Sequence, residues 1–237
     1  MSTWELIQGE ALAVLRGMPD ESVDVILTDP PFSSGGRRES ARSLRKSMIR
    51  GTEDDAWIAG DAMSTNGFLW IMREVGWQAR RVLKPGGHLL AFIDWRMAPT
   101  LSAALESADL RQHPILVWDK TYFGMGSMFR NQHEFIVHMT AGNPGAPQRR
   151  DVGNVIPCKP IRGGAHPTEK PVPLLRTLLS VVCPGGGTVV DPFAGSGATG
   201  VAALEEGHSF IGVELSDYYA RVARERLAGV GGVQEES

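Results

Sequence analysis

The chain has 237 residues, 42% of them apolar and 22% charged, with a formal net charge of −3. That length fits one α/β domain, with or without a long insertion, and buries a sizeable core; the composition is that of a soluble globular protein. The charge excludes a global basic field, so a nucleic-acid partner has to be held by a local patch.

The N-terminus, Met1 to Glu5, has no basic-then-apolar signal pattern, and no apolar run approaches the ~18 residues of a membrane span. Cys158 and Cys183 lie far apart with no Cys-x-x-Cys, which argues against a metal knuckle or a disulfide framework. A reduced, cytoplasmic setting is expected.

Trp4 to Ile7 reads as a strand, Gln8-Gly9-Glu10 as a turn and Ala11 to Leu15 as a short helix. Val23 to Leu27 is β-branched and nearly all apolar, the pattern of a strand covered on both faces. Ser33 to Trp57 lacks periodicity and carries three glycines, so a mobile loop is expected there. Apolar residues at Phe68, Leu69, Met72, Val75 and Val82 predict a helix over Asn66 to Leu83, which Lys84-Pro85-Gly86-Gly87 ends.

Strands are expected at His88 to Asp94, Pro114 to Trp118 and Glu134 to Met139, with a helix at Pro99 to Ala108 and a loop at Tyr122 to Arg130. Ala141 to Thr168 is rich in Gly, Pro and Arg and reads as loop. Pro171 to Val182 is a helix, Thr188 to Asp191 a strand, Ala198 to Glu206 a helix, Phe210 to Glu214 a strand and Asp217 to Leu227 a helix; the last ten residues read as frayed. This alternation predicts one mostly parallel sheet with helices on both faces and no second domain.

Two stretches carry chemistry. Thr28-Asp29-Pro30-Pro31-Phe32 places a carboxylate, two rigid prolines and an aromatic ring where a buried strand opens into a loop. Such a set forms a pocket for a flat heterocycle with an exocyclic amine.

The second is Asp191-Pro192-Phe193-Ala194-Gly195-Ser196-Gly197-Ala198-Thr199-Gly200, between a strand and a helix, with Glu214 at the end of the next strand. Read literally it is a dinucleotide fingerprint, in which glycines admit the ligand and the acid holds ribose hydroxyls. The dinucleotide fold, however, needs several strands after its fingerprint, and the chain beyond Gly200 holds about one βα unit. Asp191 would also face a pyrophosphate badly and suit an amine. A ligand with an ammonium group, a ribose and a purine but no phosphate fits better, and S-adenosylmethionine is such a ligand.

Asp-Pro-Pro-Phe early, His166-Pro167-Thr168-Glu169-Lys170-Pro171 in the middle and Asp-Pro-Phe-Ala-Gly-Ser-Gly late resemble the β-class DNA amino methyltransferases, which act on adenine N6 or cytosine N4. Pro19 to Asp24, Leu83 to Gly87 and Trp118-Asp119-Lys120 add to the resemblance, which spans nearly the whole chain. It implies a single domain over 1–237 with a Rossmann-like methyltransferase fold. The sheet would have seven mostly parallel strands, Glu134 to Met139 being the antiparallel one, and the motif order would be permuted.

By the same resemblance, Asp29 and the Pro30 carbonyl accept from the target amine, and Pro31 and Phe32 complete the catalytic motif. Asp191, Phe193, Gly195 and Gly197 surround the methionine part of S-adenosylmethionine, and Glu214 takes its ribose hydroxyls. His166 belongs to the middle motif, whose Thr168 and Lys170 lie near the cofactor carboxylate. Glu10 stands where the family has Asp, beside the adenine of the cofactor. Asp rather than Ser at the first catalytic position favours adenine; cytosine N4 is the alternative, and a non-catalytic module binding DNA and cofactor is a third reading.

DNA is the implied partner. Arg37, Arg38, Arg42, Arg45, Lys46 and Arg50 concentrate positive charge in the loop after Phe32 and are expected to contact its phosphates. Tyr122 to Arg130, and Arg149, Arg150 and Arg162, are further candidates, the last three within a short target-recognition segment at 140–165. Histidines 113, 133, 138 and 208 lack metal-ligand spacing and read as structural. The target sequence, a homodimer and a restriction partner are left open.

Overall fold

Val23–Thr28 (β2) is a strand buried on both faces, as its β-branched apolar run requires, and the sheet is built outward from it. The computed structural model describes residues 2–31, 64–124, 128–161, 169–231 and 233–234. The expected loop at 33–57 and the residues Phe32 and 162–168 lie outside them.

Before β2 come β1 (Thr3–Gln8) and α1 (Ala11–Gly17). After it follow α2 (Thr65–Val82), β3 (Leu83–Ile93), α3 (Ala98–Glu106), β4 (Arg111–Gln112) and β5 (Leu116–Asp119). The second half holds β6 (His133–Thr140), β7 (Val155–Pro157), α4 (Val172–Val182) and β8 (Thr188–Asp191). It ends with α5 (Ala198–Glu205), β9 (Ser209–Glu214), α6 (Asp217–Ala228) and β10 (Val233–Gln234).

The strands form one sheet in the order β10-β1-β9-β8-β2-β3-β6-β5-β7, with β4 also paired to β6. Among the described residues, the expected seven strands are the long ones, and three strands of two or three residues extend them. Of the seven, β6 alone runs antiparallel to its neighbours β3 and β5, at the expected place.

Side chains of β2 alternate between two cores. Val25 and Leu27 join α4, α5 and α6 on one face; Val23 and Ile26 join α1, α2 and α3 on the other. No described helix is long and apolar enough to cross a membrane.

Two boundaries differ from the sequence reading. Lys84 to Gly87 does not separate helix from strand: β3 begins at Leu83, directly after the helix, and its pairing with β2 shifts register between Val23 and Val25. Asp24 explains the irregularity. It accepts from Lys84 Nζ at 2.8 Å and from Thr188 N at 2.8 Å, tying β2, β3 and β8 together at one end of the sheet. The C-terminal segment, read as frayed, pairs with β1 through Thr3↔Val233 and Trp4↔Gln234.

His113 and His138, two of the histidines read as structural, cluster with His88. His88 Nδ1 and His138 Nε2 lie 2.9 Å apart, the ring of His113 stacks on His138 at 4.7 Å, and His113 Nε2 meets Thr140 Oγ1 at 3.0 Å. Burial, reinforced by the neighbouring rings, lowers His88 to about 4 and His138 to about 3. A histidine whose folded pKa lies below its unfolded value of 6.5 contributes stability that is complete above that value and lost as pH falls. The unfolding free energy should therefore drop by roughly 2–4 kcal/mol between pH 6.5 and pH 4 beyond what carboxylates account for. Denaturant titrations across that window should show the drop, and His138→Phe should remove much of it.

Candidate active site

Strand order brings the two chemical stretches together. β8 and β2 are neighbours, β8 continuing to β9 and β1 on one side and β2 to β3 and β6 on the other. This is a switch point, where the crevice beyond the strand ends of an open α/β sheet accepts ligands. Thr28 Oγ1 donates to Asp191 Oδ1 at 2.7 Å, closing the gap between two residues 163 apart in sequence.

Asp191 is buried, at 3% exposure, and also accepts from Phe193 N at 3.0 Å. Burial pushes its carboxyl up, against hydrogen bonds from Thr28, Thr199 and Phe193 N; with the nearby charge of Asp29 the result is about 6. A carboxylate so placed is short of positive charge and suits a cationic ligand.

The glycine turn is shaped by backbone. Gly197, at φ 79°, begins α5 in the left-handed region, where a side chain would be strained and its Cβ would meet that of Ala223 at 3.0 Å. Gly200, the third glycine of the apparent dinucleotide fingerprint, has a packing role: a Cβ there would lie 2.5 Å from Leu227 and 2.6 Å from Phe210.

Glu214 ends β9 with its carboxylate accepting from Gly195 N at 2.9 Å and Ser216 N at 2.7 Å. These bonds fix it beside the turn and leave acceptor capacity on each oxygen. Gly9 N donates to the Glu214 carbonyl at 3.0 Å, so the turn after β1 joins the same edge. Glu10 is committed locally: its two oxygens accept from Leu12 N at 3.0 Å and Ala13 N at 2.8 Å and cap α1.

The middle motif is stitched to both stretches. Glu169 accepts from Arg226 Nη2 at 2.6 Å, and Arg226 also reaches Ser196 Oγ at 3.3 Å in the glycine turn. Lys170, expected beside the cofactor carboxylate, donates to Asp29 Oδ2 and lies 3.6 Å from Glu134 Oε2. Glu134 in turn accepts from Lys120 Nζ at 2.5 Å.

Sequence reading missed Thr28, Lys120 and Glu134 as members of the site. Glu134 carried a signal, a carboxylate at the head of an apolar strand, and Lys120 stood within a motif whose role was not assigned.

Asp29, Pro30 and Pro31 lie at the end of β2 as expected, Asp29 half-buried and Pro30 buried. Phe32, His166, Thr168 and the basic residues Arg37, Arg38, Arg42, Arg45, Lys46 and Arg50 fall outside the described residues. The 140–150 segment leaves β6 at the opposite edge of the sheet, since Thr140 pairs with His88 and Phe135 with Ile93. Arg149 is bonded there to Asp151 at 2.7 Å and Ser180 at 2.7 Å, away from Asp29. The described parts of the Tyr122 to Arg130 stretch, 122–124 and 128–130, by contrast lie between the end of β5 and the start of β6, at the Asp29 edge, with Arg130 over the Phe123 ring at 3.6 Å and Phe129 fully exposed.

Because Asp191 is raised above its unfolded value, its ionised form opposes folding, fully above pH 6 and less as pH falls towards 4. Asp191→Asn keeps an acceptor for Thr28 and removes the charge. It should stabilise the ligand-free protein by roughly 1–3 kcal/mol at pH 8 and by little at pH 4, measured by urea denaturation.

The model of a DNA methylase family matches residues 23–154 and 143–225. The Escherichia coli (strain K12) protein YubD is 34% identical over 224 residues, covering 94% of this chain and 90% of its own. The DNA adenine methyltransferase YhdJ of the same organism is 27% identical over 259 residues, covering 94% and 82%. Among solved structures, the Thermus thermophilus protein TTHA0409, complexed with S-adenosyl-L-methionine, superposes with a TM-score of 0.70 at 20% identity over 99% of each chain. The crevice between β8 and β2, with an acid at the end of each strand, is thus set in a chain that belongs to the N6/N4 DNA methylase family.

Proposed function

We propose that the protein transfers a methyl group from S-adenosylmethionine to the exocyclic N6 of an adenine rotated out of DNA. The observation that carries this reading is the meeting of Asp29 and Asp191 at adjacent strand ends, the first half-buried and paired with Lys170, the second buried among neutral donors.

The buried Asp191 supplies negative charge for the cationic part of the cofactor, and Glu214 has acceptor capacity for the ribose hydroxyls. When bound, S-adenosylmethionine supplies a methyl group on a sulfonium, an excellent leaving group, so positioning and electrostatics carry the catalysis.

The adenine amine is a poor nucleophile because its lone pair is delocalised into the ring. Asp29 and the Pro30 carbonyl accept its two hydrogens and localise the pair; proline fixes φ and holds that carbonyl still. Held this way, N6 would present its lone pair to the methyl group that the cofactor would supply, and the proton the amine loses on methylation would pass to solvent. Phe32 provides a face for the extruded base, and the basic residues between Arg37 and Arg50 hold the phosphates.

The family's other chemistry, at cytosine N4, presents the same amine geometry. Asp at the first catalytic position and the adenine enzyme YhdJ among the relatives support adenine. Nucleoside analysis of DNA from cells expressing the protein decides between them: N6-methyladenine is expected, N4-methylcytosine would reverse the assignment, and no modified base would favour a non-catalytic module.

Asp29→Ala should lower the methyl-transfer rate at least about 100-fold while cofactor affinity stays within a few-fold, by radiolabelled transfer and calorimetry. Replacing the six basic residues with Gln should weaken DNA binding and flatten its salt dependence; an unchanged slope of log K against log salt would remove that loop from the interface.

A further inference from the structure

The buried charge row behind Asp29 is more than the family's motifs require. Lys170 is 8% exposed, lies against the Phe92 ring at 5.1 Å, and faces Asp29 from the β2 end and Glu134 from β6. Lys120, just after β5, holds Glu134 from behind and sits over the Trp118 ring at 4.8 Å. Asp191, at the end of β8, is a further charge near Asp29.

Four groups on four separate segments thus alternate in sign: Asp29, Lys170, Glu134, Lys120. Burial alone would discharge Lys170, but Asp29 and Glu134 outweigh it and hold the ammonium charged. Burial likewise pushes Glu134 up, and Lys170 and Lys120 bring it below the usual carboxylate range.

An ion pair of this kind is a weak device for stability, because desolvating both partners offsets most of the attraction. It is a strong device for aim and charge. Ionised Asp29 is the stronger acceptor for an amine, and it stands half-buried with the carboxylate of Asp191 near it and that of Glu134 across Lys170. Lys170 is the cation that opposes them.

We propose that Lys170 is the positioning residue of Asp29: braced by Glu134 and, through it, by Lys120, its ammonium aims the carboxylate and keeps it in the amine-accepting form. The inference rests on the reading of Asp29 as amine acceptor. It moves Lys170 from the cofactor carboxylate, where the family resemblance placed it, to the target base.

The test is the pH dependence of the single-turnover methyl-transfer rate for the parent protein, Lys170→Met, Glu134→Gln and the double variant, with cofactor affinity measured by calorimetry. In Lys170→Met two carboxylates remain without their shared cation, so the acid limb should move up by about 1–3 pH units, with activity regained at alkaline pH and cofactor affinity within about threefold. Glu134→Gln removes a repelling charge and should move the limb down. The double variant should fall between them, with its limb below that of Lys170→Met, and at pH values beneath the Lys170→Met limb it should be the faster of the two.

An unmoved limb in Lys170→Met with a large loss of cofactor affinity overturns the proposal and returns Lys170 to the cofactor. So does a double variant no faster than the single one. If Lys170→Met fails to fold by circular dichroism, Glu134→Gln decides, and an unmoved limb there overturns the proposal. Full activity in Asp29→Ala would instead sink the acceptor reading itself, a separate outcome.

Discussion

The hydrogen bond from Thr28 to Asp191 is the contact on which the site depends. It is a buried bond between the last residues of two neighbouring strands, and it brings the Asp-Pro-Pro-Phe and glycine motifs within one side chain's reach. A hydroxyl suits the position because it donates to a carboxylate without adding charge. A lysine there would satisfy Asp191 outright and leave nothing for a cationic ligand. Thr28 stabilises Asp191 enough for the fold to tolerate it and leaves the carboxyl raised to about 6, with negative charge still to be matched.

The two acids of the crevice are therefore treated in opposite ways. Asp191 is surrounded by neutral donors, and its charge is held in reserve. Asp29 is given a full cation, Lys170, and that cation is anchored to a second acid and a second base. The charge of Asp29 adds to the burial that raises Asp191. On the proposed function, different surroundings give each a distinct role: one meets positive charge, the other accepts from a neutral amine. The half of the row farthest from the crevice, Glu134 and Lys120, touches neither ligand on this reading and works through Lys170.

Much of this was legible in the sequence, for identifiable reasons. Val23 to Leu27 could only be a doubly covered strand, and the turn after Asp191 had to open a helix; both placed their acids at strand ends. The antiparallel strand, the helices on both faces and the structural histidines also stand where expected. What stayed hidden was pairing across long separations. Lys170 and Asp29 are 141 residues apart, and a lysine within a recognisable motif carries no mark of which acid it will meet. Glu10 holds a role its sequence position did not announce, since a carboxylate after a turn suits a cofactor contact and a helix cap alike, and here both oxygens also cap α1. Lys84 to Gly87 looked like a helix stop because Pro and Gly usually punctuate; Asp24 instead recruits Lys84 into an irregular strand start. Arg149 and Arg150 were offered for their charge, and the antiparallel run of β6 delivers the chain to the edge of the sheet opposite Asp29.

The permuted order has a physical consequence for how such a site can form. Asp29 comes early and Asp191 late, and the strands between them in sequence build the opposite flank of the sheet. Neither acid can be withdrawn from water until β2, β6 and β8 are all in place, because until then Lys170 has no fixed partner and Asp191 has no Thr28. The charges therefore disfavour partial assemblies, in which a carboxylate or ammonium would be buried without its partner. They add little to the depth of the native minimum. Non-local closures of this length are slow and costly in chain entropy, and the apolar faces of β2, β3 and β8 have to supply the driving force. The crevice is consequently a product of the completed core, held at the ends of strands whose stability comes from elsewhere. A charge-neutralising change such as Asp191→Asn can strengthen the fold while emptying the site of its purpose.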